Sequence, residues 1–259
     1  MASAKDIIVK PISAGAANDL VKRVHYSGKV VPNSKLHFGV FLDNRLEGVM
    51  SFGSSMDKRK TLRLVSETGW NNFLELNRMA FSETLPKYSE SRAISVAMRL
   101  IRKNYPHIEW VISFADGTQC GDGTIYRASG FLLTGIKENK TIYEFPDGVR
   151  VASLTLTNGG DQNSKKRFCK KYNVPYFSAA SMQPFVKIGA KPVQGYMIRY
   201  VYFLNPAARE RLTCDILPFS KIDDMGAGMY KGERRVKQAT TGDQSEGRRG
   251  STDPHAPTI

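Results

Sequence analysis

An α/β (α+β) fold, built on one mixed sheet with flanking helices, is predicted by three features of the sequence. A long amphipathic helix lies between two apolar strands, which makes a parallel strand–helix–strand unit with a right-handed crossover. Two earlier strands are separated by only three polar residues and must pair antiparallel. A glycine-bearing loop after the last strand of the parallel unit runs into a second, short helix.

The elements follow in chain order. Ile7-Ile8-Val9-Lys10-Pro11 reads as a short strand. Ser13 caps a helix whose apolar face is Ala17, Leu20, Val21 and Val24, spaced by three and four. Leu36 to Leu42 and Leu46 to Phe52 form a hairpin about Asp43-Asn44-Arg45, and the basic loop Asp57-Lys58-Arg59-Lys60 comes next. Phe73 to Phe81 is a strand that carries one charge, Arg78, amid core-like neighbours. Ser89 is the expected cap of the long helix, with Ala93, Val96, Ala97, Leu100 and Ile101 as its buried stripe and Pro106 as its stop. The continuous apolar run Trp110 to Phe114 is a buried strand. The short helix Thr124 to Ser129 is closed by Gly130. Strands near Thr141 to Phe145 and Val149 to Leu156 complete the sheet, and Tyr196 to Leu204 is strongly β-prone.

The chain has 259 residues, with Lys plus Arg 38 against Asp plus Glu 24, a formal charge of +14. Such an excess attracts polyanions, of which nucleic acid is the commonest in a cytoplasm. The excess is uneven: residues 1–149 hold 20 basic and 15 acidic side chains, residues 150–259 hold 18 and 9. No apolar run approaches the ~18 residues that a spanning helix needs. The first residues lack the apolar stretch of a secretory signal, and Cys120, Cys169 and Cys214 are widely spaced. The expected compartment is therefore a reducing cytoplasm. Asn158-Gly159-Gly160-Asp161-Gln162-Asn163-Ser164 reads as a linker. We expect a catalytic domain over 1–157, a basic C-terminal extension over 158–232 that packs on it, and a disordered tail over 233–259, where apolar residues run out.

The order of these elements is similar to the GNAT acyltransferase fold. Gly123-Thr124-Ile125-Tyr126-Arg127-Ala128-Ser129-Gly130-Phe131 resembles the helix that closes a GNAT acyl-CoA site. More narrowly, His25-Tyr26-Ser27, Leu76-Asn77-Arg78, Phe114-Ala115-Asp116 and Gly123-Thr124-Ile125-Tyr126 stand together as in the phage Mom proteins. Gly189-Ala190-Lys191-Pro192, Arg199 to Leu204 and Leu217 to Ile222 extend the resemblance, which covers about Ile7 to Lys231. It implies a GNAT-like, mostly antiparallel twisted sheet with splayed central parallel strands. It also implies an enzyme that converts adenine in double-stranded phage DNA to N6-carbamoylmethyladenine and so masks restriction sites. The other readings are a GNAT-like N-acetyltransferase for a small amine or a protein lysine, and a non-catalytic DNA-binding relative. A homodimer is compatible with each.

The exocyclic amine of adenine is a poor nucleophile, so a site acting on it needs a proton acceptor, a placed electrophile and help for the leaving group. Asp116, just past an apolar strand, is the candidate to hold or deprotonate the amine; its plainer role is to cap the glycine loop. Tyr126 stands where GNATs keep a tyrosine acid, and a phenol is protonated at neutral pH; the plainer role is packing on the sheet. Arg78 needs a partner, Asp116 or a bound anion. Tyr26 is a stacking or proton-relay candidate, and His25 beside it is favoured electrostatically at a helix C-terminus. Iron dependence associated with the family makes His25 a conceivable ligand, but no ligand spacing accompanies it. Cys120, between Asp116 and Tyr126, is more often incidental than nucleophilic.

An acyl donor such as acetyl-CoA is implied by the GNAT resemblance, with Ser89, Ser91 and Arg92 as its contacts at the long helix N-terminus. The usual glycine loop before that helix is replaced by Thr84-Leu85-Pro86-Lys87-Tyr88. The product raises a chemical point as well, because carbamoylmethylation joins nitrogen to a CH₂ carbon and simple acyl transfer does not. Lys58, Arg59 and Lys60 are expected to meet DNA phosphates. So are Lys165, Lys166, Arg167, Lys170 and Lys171, a run interleaved with Phe168 and Tyr172.

Overall fold

The computed structural model describes residues 2–25, 27–118, 121–157, 162–230 and 233–234. Its centre is a seven-stranded mixed sheet in the order β1-β2-β3-β4-β5-β10-β6. Strand β1 is Ile8–Pro11, β2 Ser34–Leu42, β3 Arg45–Gly53, β4 Phe73–Phe81, β5 Trp110–Asp116, β6 Leu132–Asn139 and β10 Gly195–Phe203. All pairs are antiparallel except β4 with β5. The β2–β3 turn is only Asp43-Asn44, both at positive φ (48° and 62°), the conformation in which a two-residue turn matches strand twist.

Helix α1 (Ala14–Val24) buries Ala17, Leu20 and Val21 against Val49 and Ala80 of the sheet, and Ser13 accepts a hydrogen bond from the Ala16 amide as its cap. Helix α3 (Ser89–Asn104) covers the other side. It buries Ala93, Ile94, Ala97, Met98 and Ile101, so Ile94 and Met98 take the deepest positions instead of Val96 and Leu100. Full burial of each larger side chain is worth about 1.5–3 kcal/mol. Ser89 does not cap α3. Tyr88 occupies that place in a left-handed conformation (φ 71°) without a side-chain cap, and Ser89 is drawn into the first turn and buried. The expected basic loop folds into a short helix, α2 (Lys58–Leu62), because Asp57 accepts from the Lys60 amide.

The residues after β5 depart most from expectation. Helix α4 (Thr124–Ala128) forms and Gly130 closes it at φ 83°. Strand β6 then follows, although the sequence reading passed over it. The chain next builds a small unit with its own core: β7 (Ile142–Glu144), β8 (Arg150–Ala152), α5 (Ser153–Thr157), α6 (Gln162–Lys171), α7 (Gln183–Val186) and β9 (Lys191–Pro192). Strands β8-β7-β9 form a separate three-stranded sheet. Phe145, Leu156, Cys169, Met182 and Phe185 bury one another there, and burial raises the Cys169 thiol pKa.

The strands expected near 141–156 therefore do not complete the main sheet. The boundary expected at residue 157 does not divide it either. Strand β10 returns from the supposed extension and inserts between β5 and β6, pairing over Met197–Phe203 with β5 and Gly195–Val201 with β6. The small unit is thus an insertion in the β6–β10 connection. A 3₁₀ turn (Pro206–Arg211) and α8 (Ser220–Asp224) follow. In the expected tail, Glu233–Arg234 (β12) pair with Met229–Tyr230 (β11), and residues 235–259 lie outside the described part. The 158–161 segment of the expected linker also lies outside it.

Candidate active site

Strands β4 and β5 run side by side for three pairs only, Phe73 with Trp110, Leu74 with Val111 and Glu75 with Ile112. Beyond Glu75 they part. The rest of β4 stays with β3, and the rest of β5 stays with β10. A β-bulge marks the parting, because Leu76 faces Phe52 and Arg78 faces Ser51, which leaves Asn77 as the extra residue. A bulge bends its strand and sharpens the local twist. The Asn77 amide is fastened on both ends. Its Oδ1 accepts from Ser34 Oγ at 3.0 Å, and its Nδ2 donates to the Ser54 carbonyl at 3.3 Å.

The opening so made is a cavity of about 460 Å³, well inside the ~300–1,000 Å³ of small-molecule sites. Leu76, Asn77, Arg78 and Phe81 of β4 form one wall and Phe114, Ala115 and Asp116 of β5 the other. His25 from the end of α1, Glu90 from α3, and Asp122 to Tyr126 from the α4 entry close it. Four of the five catalytic candidates, His25, Arg78, Asp116 and Tyr126, thus line a single cavity. The fifth, Tyr26, lies outside the described residues, as does Cys120.

Each of these side chains has a definite setting. Asp116 is the last residue of β5, and its Oδ1 accepts from the Thr118 amide at 3.0 Å, so it caps the turn while lining the cavity. Tyr126 is 8% exposed, its ring 5.2 Å from that of Tyr200 and 5.4 Å from that of Phe131. Packing and cavity lining therefore coincide in one residue. The Tyr200 hydroxyl donates to the Asp122 carbonyl at 2.5 Å, and burial raises its pKa well above the usual phenol range. His25 is pushed down to about 4, first by burial and then by the Arg78 guanidinium. Its Nδ1 accepts from the Ser27 amide at 3.1 Å, so the neutral ring carries its proton on Nε2.

Several site residues escaped the sequence reading. Phe114 belongs to an apolar run and reads as core, yet it is 36% exposed because the splay opens beside it. Asp122 and Glu90 bring further carboxylates to the cavity. Glu75, at the fork itself, has its carboxyl pKa raised by burial, against hydrogen bonds from Ser55 and Asn77 and the charge of Arg78. Only an Asn between two strand residues hinted at the bulge, and that signal is weak by itself.

A second cavity of about 330 Å³ runs along α3, lined by Tyr88, Ser91, Arg92, Ser95, Val96 and Arg99 together with Ala4 and Ala128. Of the three expected donor contacts, Ser91 and Arg92 line it. Ser89 is not among its lining residues, and its buried Oγ has no hydrogen-bond partner among the described residues. Arg92 in the first turn of α3 and Arg99 about two turns further along give this cavity two guanidinium groups, which suit an anionic ligand. For iron the described residues do not fit, since among them no group of three or more His, Cys, Asp or Glu side chains could hold a metal ion.

The basic candidates divide. Arg59, Lys60, Lys166, Arg167 and Lys170 are exposed. Lys58 stands 4.5 Å over the Trp70 ring and donates to Asn71, and Lys171 pairs with Asp147 at 2.6 Å. Lys165 is a correction. It is 7% exposed, donates to the Ala179 carbonyl at 2.8 Å and lies 3.9 Å over the Phe177 ring. Helix periodicity turns Phe168 and Tyr172 toward Phe145, with centroids 5.3 and 4.4 Å away.

Among the described residues, no helix is long and apolar enough to cross a membrane. Comparison with solved structures finds matches at low similarity. An N-acyl amino acid synthase from uncultured soil microbes is 14% identical, with 80% of this chain and 95% of that one covered and a TM-score of 0.42. A Bacillus subtilis acetyltransferase in complex with CoA is 11% identical, with 76% and 97% covered and a TM-score of 0.40. Sequence comparison reaches further. The methylcarbamoylase Mom of Escherichia phage Mu is 36% identical over 218 residues, 80% of each chain. The model of the Mom protein family matches residues 6–221, and the chain accordingly belongs to the Mom protein family.

Proposed function

We propose that this chain carbamoylmethylates the N6 amine of adenine in double-stranded DNA, protecting phage DNA from restriction. The observation that carries this reading is the fork between β4 and β5, where His25, Arg78, Asp116 and Tyr126 line a single cavity in a chain related to a methylcarbamoylase. N6 is paired inside the duplex, so the adenine must swing out to reach such a cavity, at a cost of a few kcal/mol. Phe81 and Phe114, one on each wall, give a purine apolar faces to lie against.

In this reading Asp116 takes the proton that the amine gives up as its nitrogen bonds to the incoming CH₂ carbon. The Thr118 amide fixes the carboxylate for that task. Tyr126 gives its phenolic proton to the group that leaves. His25, neutral at physiological pH, acts as a hydrogen-bond donor through Nε2 and not as a base. Arg78 supplies fixed positive charge in the cavity wall. The donor lies along α3, where Arg92 and Arg99 meet its negative charge and Ser91 its polar groups. Glu90 lines one cavity and the next two residues the other, so both cavities draw on the first turn of α3. When bound, the donor would supply a carbamoylmethyl group whose CH₂ carbon carries the leaving group, so that the bond to that group breaks as the N–C bond forms; attack on a thioester carbonyl would leave an acyl group instead.

The test is expression of the full chain in bacteria that carry a plasmid, followed by mass spectrometry of the plasmid nucleosides. N6-carbamoylmethyl-deoxyadenosine is expected. Unmodified deoxyadenosine from cells that hold soluble, folded protein would overturn the proposal.

A further inference from the structure

The loop from Ser54 to Asp57 leaves the end of β3 beside the bulge, and every residue in it but one is tied down. The Ser54 carbonyl accepts from Asn77 Nδ2 at 3.3 Å and from Asn33 Nδ2, and the Ser54 amide donates to the Asn33 carbonyl at 3.4 Å. Ser55 is buried, with its Oγ 3.0 Å from Thr61 Oγ1. Asp57 caps α2 through the Lys60 amide at 3.2 Å. Between Ser55 and Asp57 stands Met56, 87% exposed.

A single exposed apolar side chain needs no explanation by itself. Met56 differs because both of its neighbours are hydrogen-bonded and because of what lies on either side of it. On one side Asn77, which fastens the loop, lines the adenine cavity. Two residues of chain reach at most ~7 Å, so Met56 stays near that wall. On the other side, exposed Arg59 and Lys60 on α2 offer two charges for phosphates. An unbranched thioether side chain between a basic helix and a base-sized cavity has the form of the apolar wedges that part base steps.

We propose that Met56 is such a wedge: it enters the duplex where an adenine leaves the stack and fills the gap behind it. The inference rests on the adenine reading above, and the experiment separates the two. Plasmid modification is compared for the wild-type chain, Met56→Ala and Met56→Leu, with thermal melts to confirm folding. In parallel each purified protein is added to a pool of duplexes with randomised flanks in which one adenine is replaced by 2-aminopurine, whose fluorescence rises on unstacking.

Met56→Ala should lower modification by about tenfold or more and lose the fluorescence rise, while Met56→Leu restores most of both. Met56→Ala with wild-type modification would overturn the wedge and leave the adenine reading intact. So would lost modification with an undiminished fluorescence rise, or a failure of leucine to rescue. A wild-type chain that leaves plasmid adenine unmodified overturns both.

Discussion

Asp116 and Tyr126 each have a structural role and, in the proposed reaction, a chemical one, and the two are separable. The Asp116 carboxylate caps the turn through Thr118, and an amide oxygen does the same, so Asp116→Asn should keep its melting temperature. It removes the proton acceptor, and plasmid modification should fall by at least ~10²-fold. Tyr126→Phe keeps the ring contacts with Tyr200 and Phe131 and removes only the hydroxyl, with the same expected pair of results by thermal melt and nucleoside analysis.

His25 gives a prediction in pH. Its folded pKa lies near 4, below the ordinary 6.5, so the unfolded chain binds the proton more readily. Its contribution to stability is complete above about pH 6.5 and is lost as pH falls toward 4. Denaturant titrations of the wild-type chain and His25→Gln at pH 7 and pH 4.5 should show a smaller acid loss in the variant.

At the scale of elements, the site depends on how β4 leaves β5, and Gly53 is part of that. A Cβ at residue 53 would collide with the Asn33 carbonyl oxygen and approach Ser34 Cα at 2.7 Å and Asn77 Oδ1 at 2.8 Å. Two of the three are backbone and cannot turn aside. Gly53→Ala should therefore cost about 1–3 kcal/mol in chemical denaturation and, by displacing Asn77, lower modification beyond what the stability loss explains.

Most elements of the main sheet were legible because each declares itself locally. The β2–β3 hairpin is announced by its turn, α1 by its cap and period, and α3 by a stripe at spacings of three and four. The bulge was not legible, because a one-residue excess in β4 exists only relative to β3. Strand β6, between Gly130 and Asn139, was missed because its polar half, Lys137-Glu138-Asn139, is satisfied by pairing with β10, 60 residues away in sequence.

For the whole molecule, a charge of +14 gives no guide to which lysines meet DNA. The fold separates them, and salt reads the separation. Replacing both Lys166 and Lys170 by Ala should leave stability unchanged and make the slope of log K against log salt shallower by about 1.8. Lys165→Ala should leave that slope as it is and cost about 1–3 kcal/mol, because it removes the bond to Ala179 and the contact with Phe177. Binding titrations over a salt series, with denaturation curves beside them, check both.

The sequence by itself determined the strand–helix–strand unit, the hairpin, the family resemblance and the residue types able to act on an amine, since local periodicity, turn chemistry and motif order carry that information. The tertiary structure alone decided that β4 and β5 part after three pairs, that β10 closes the sheet from far along the chain, and that Lys165 turns inward while Met56 turns out. Those outcomes depend on pairing and burial between segments distant in sequence, which no local pattern encodes.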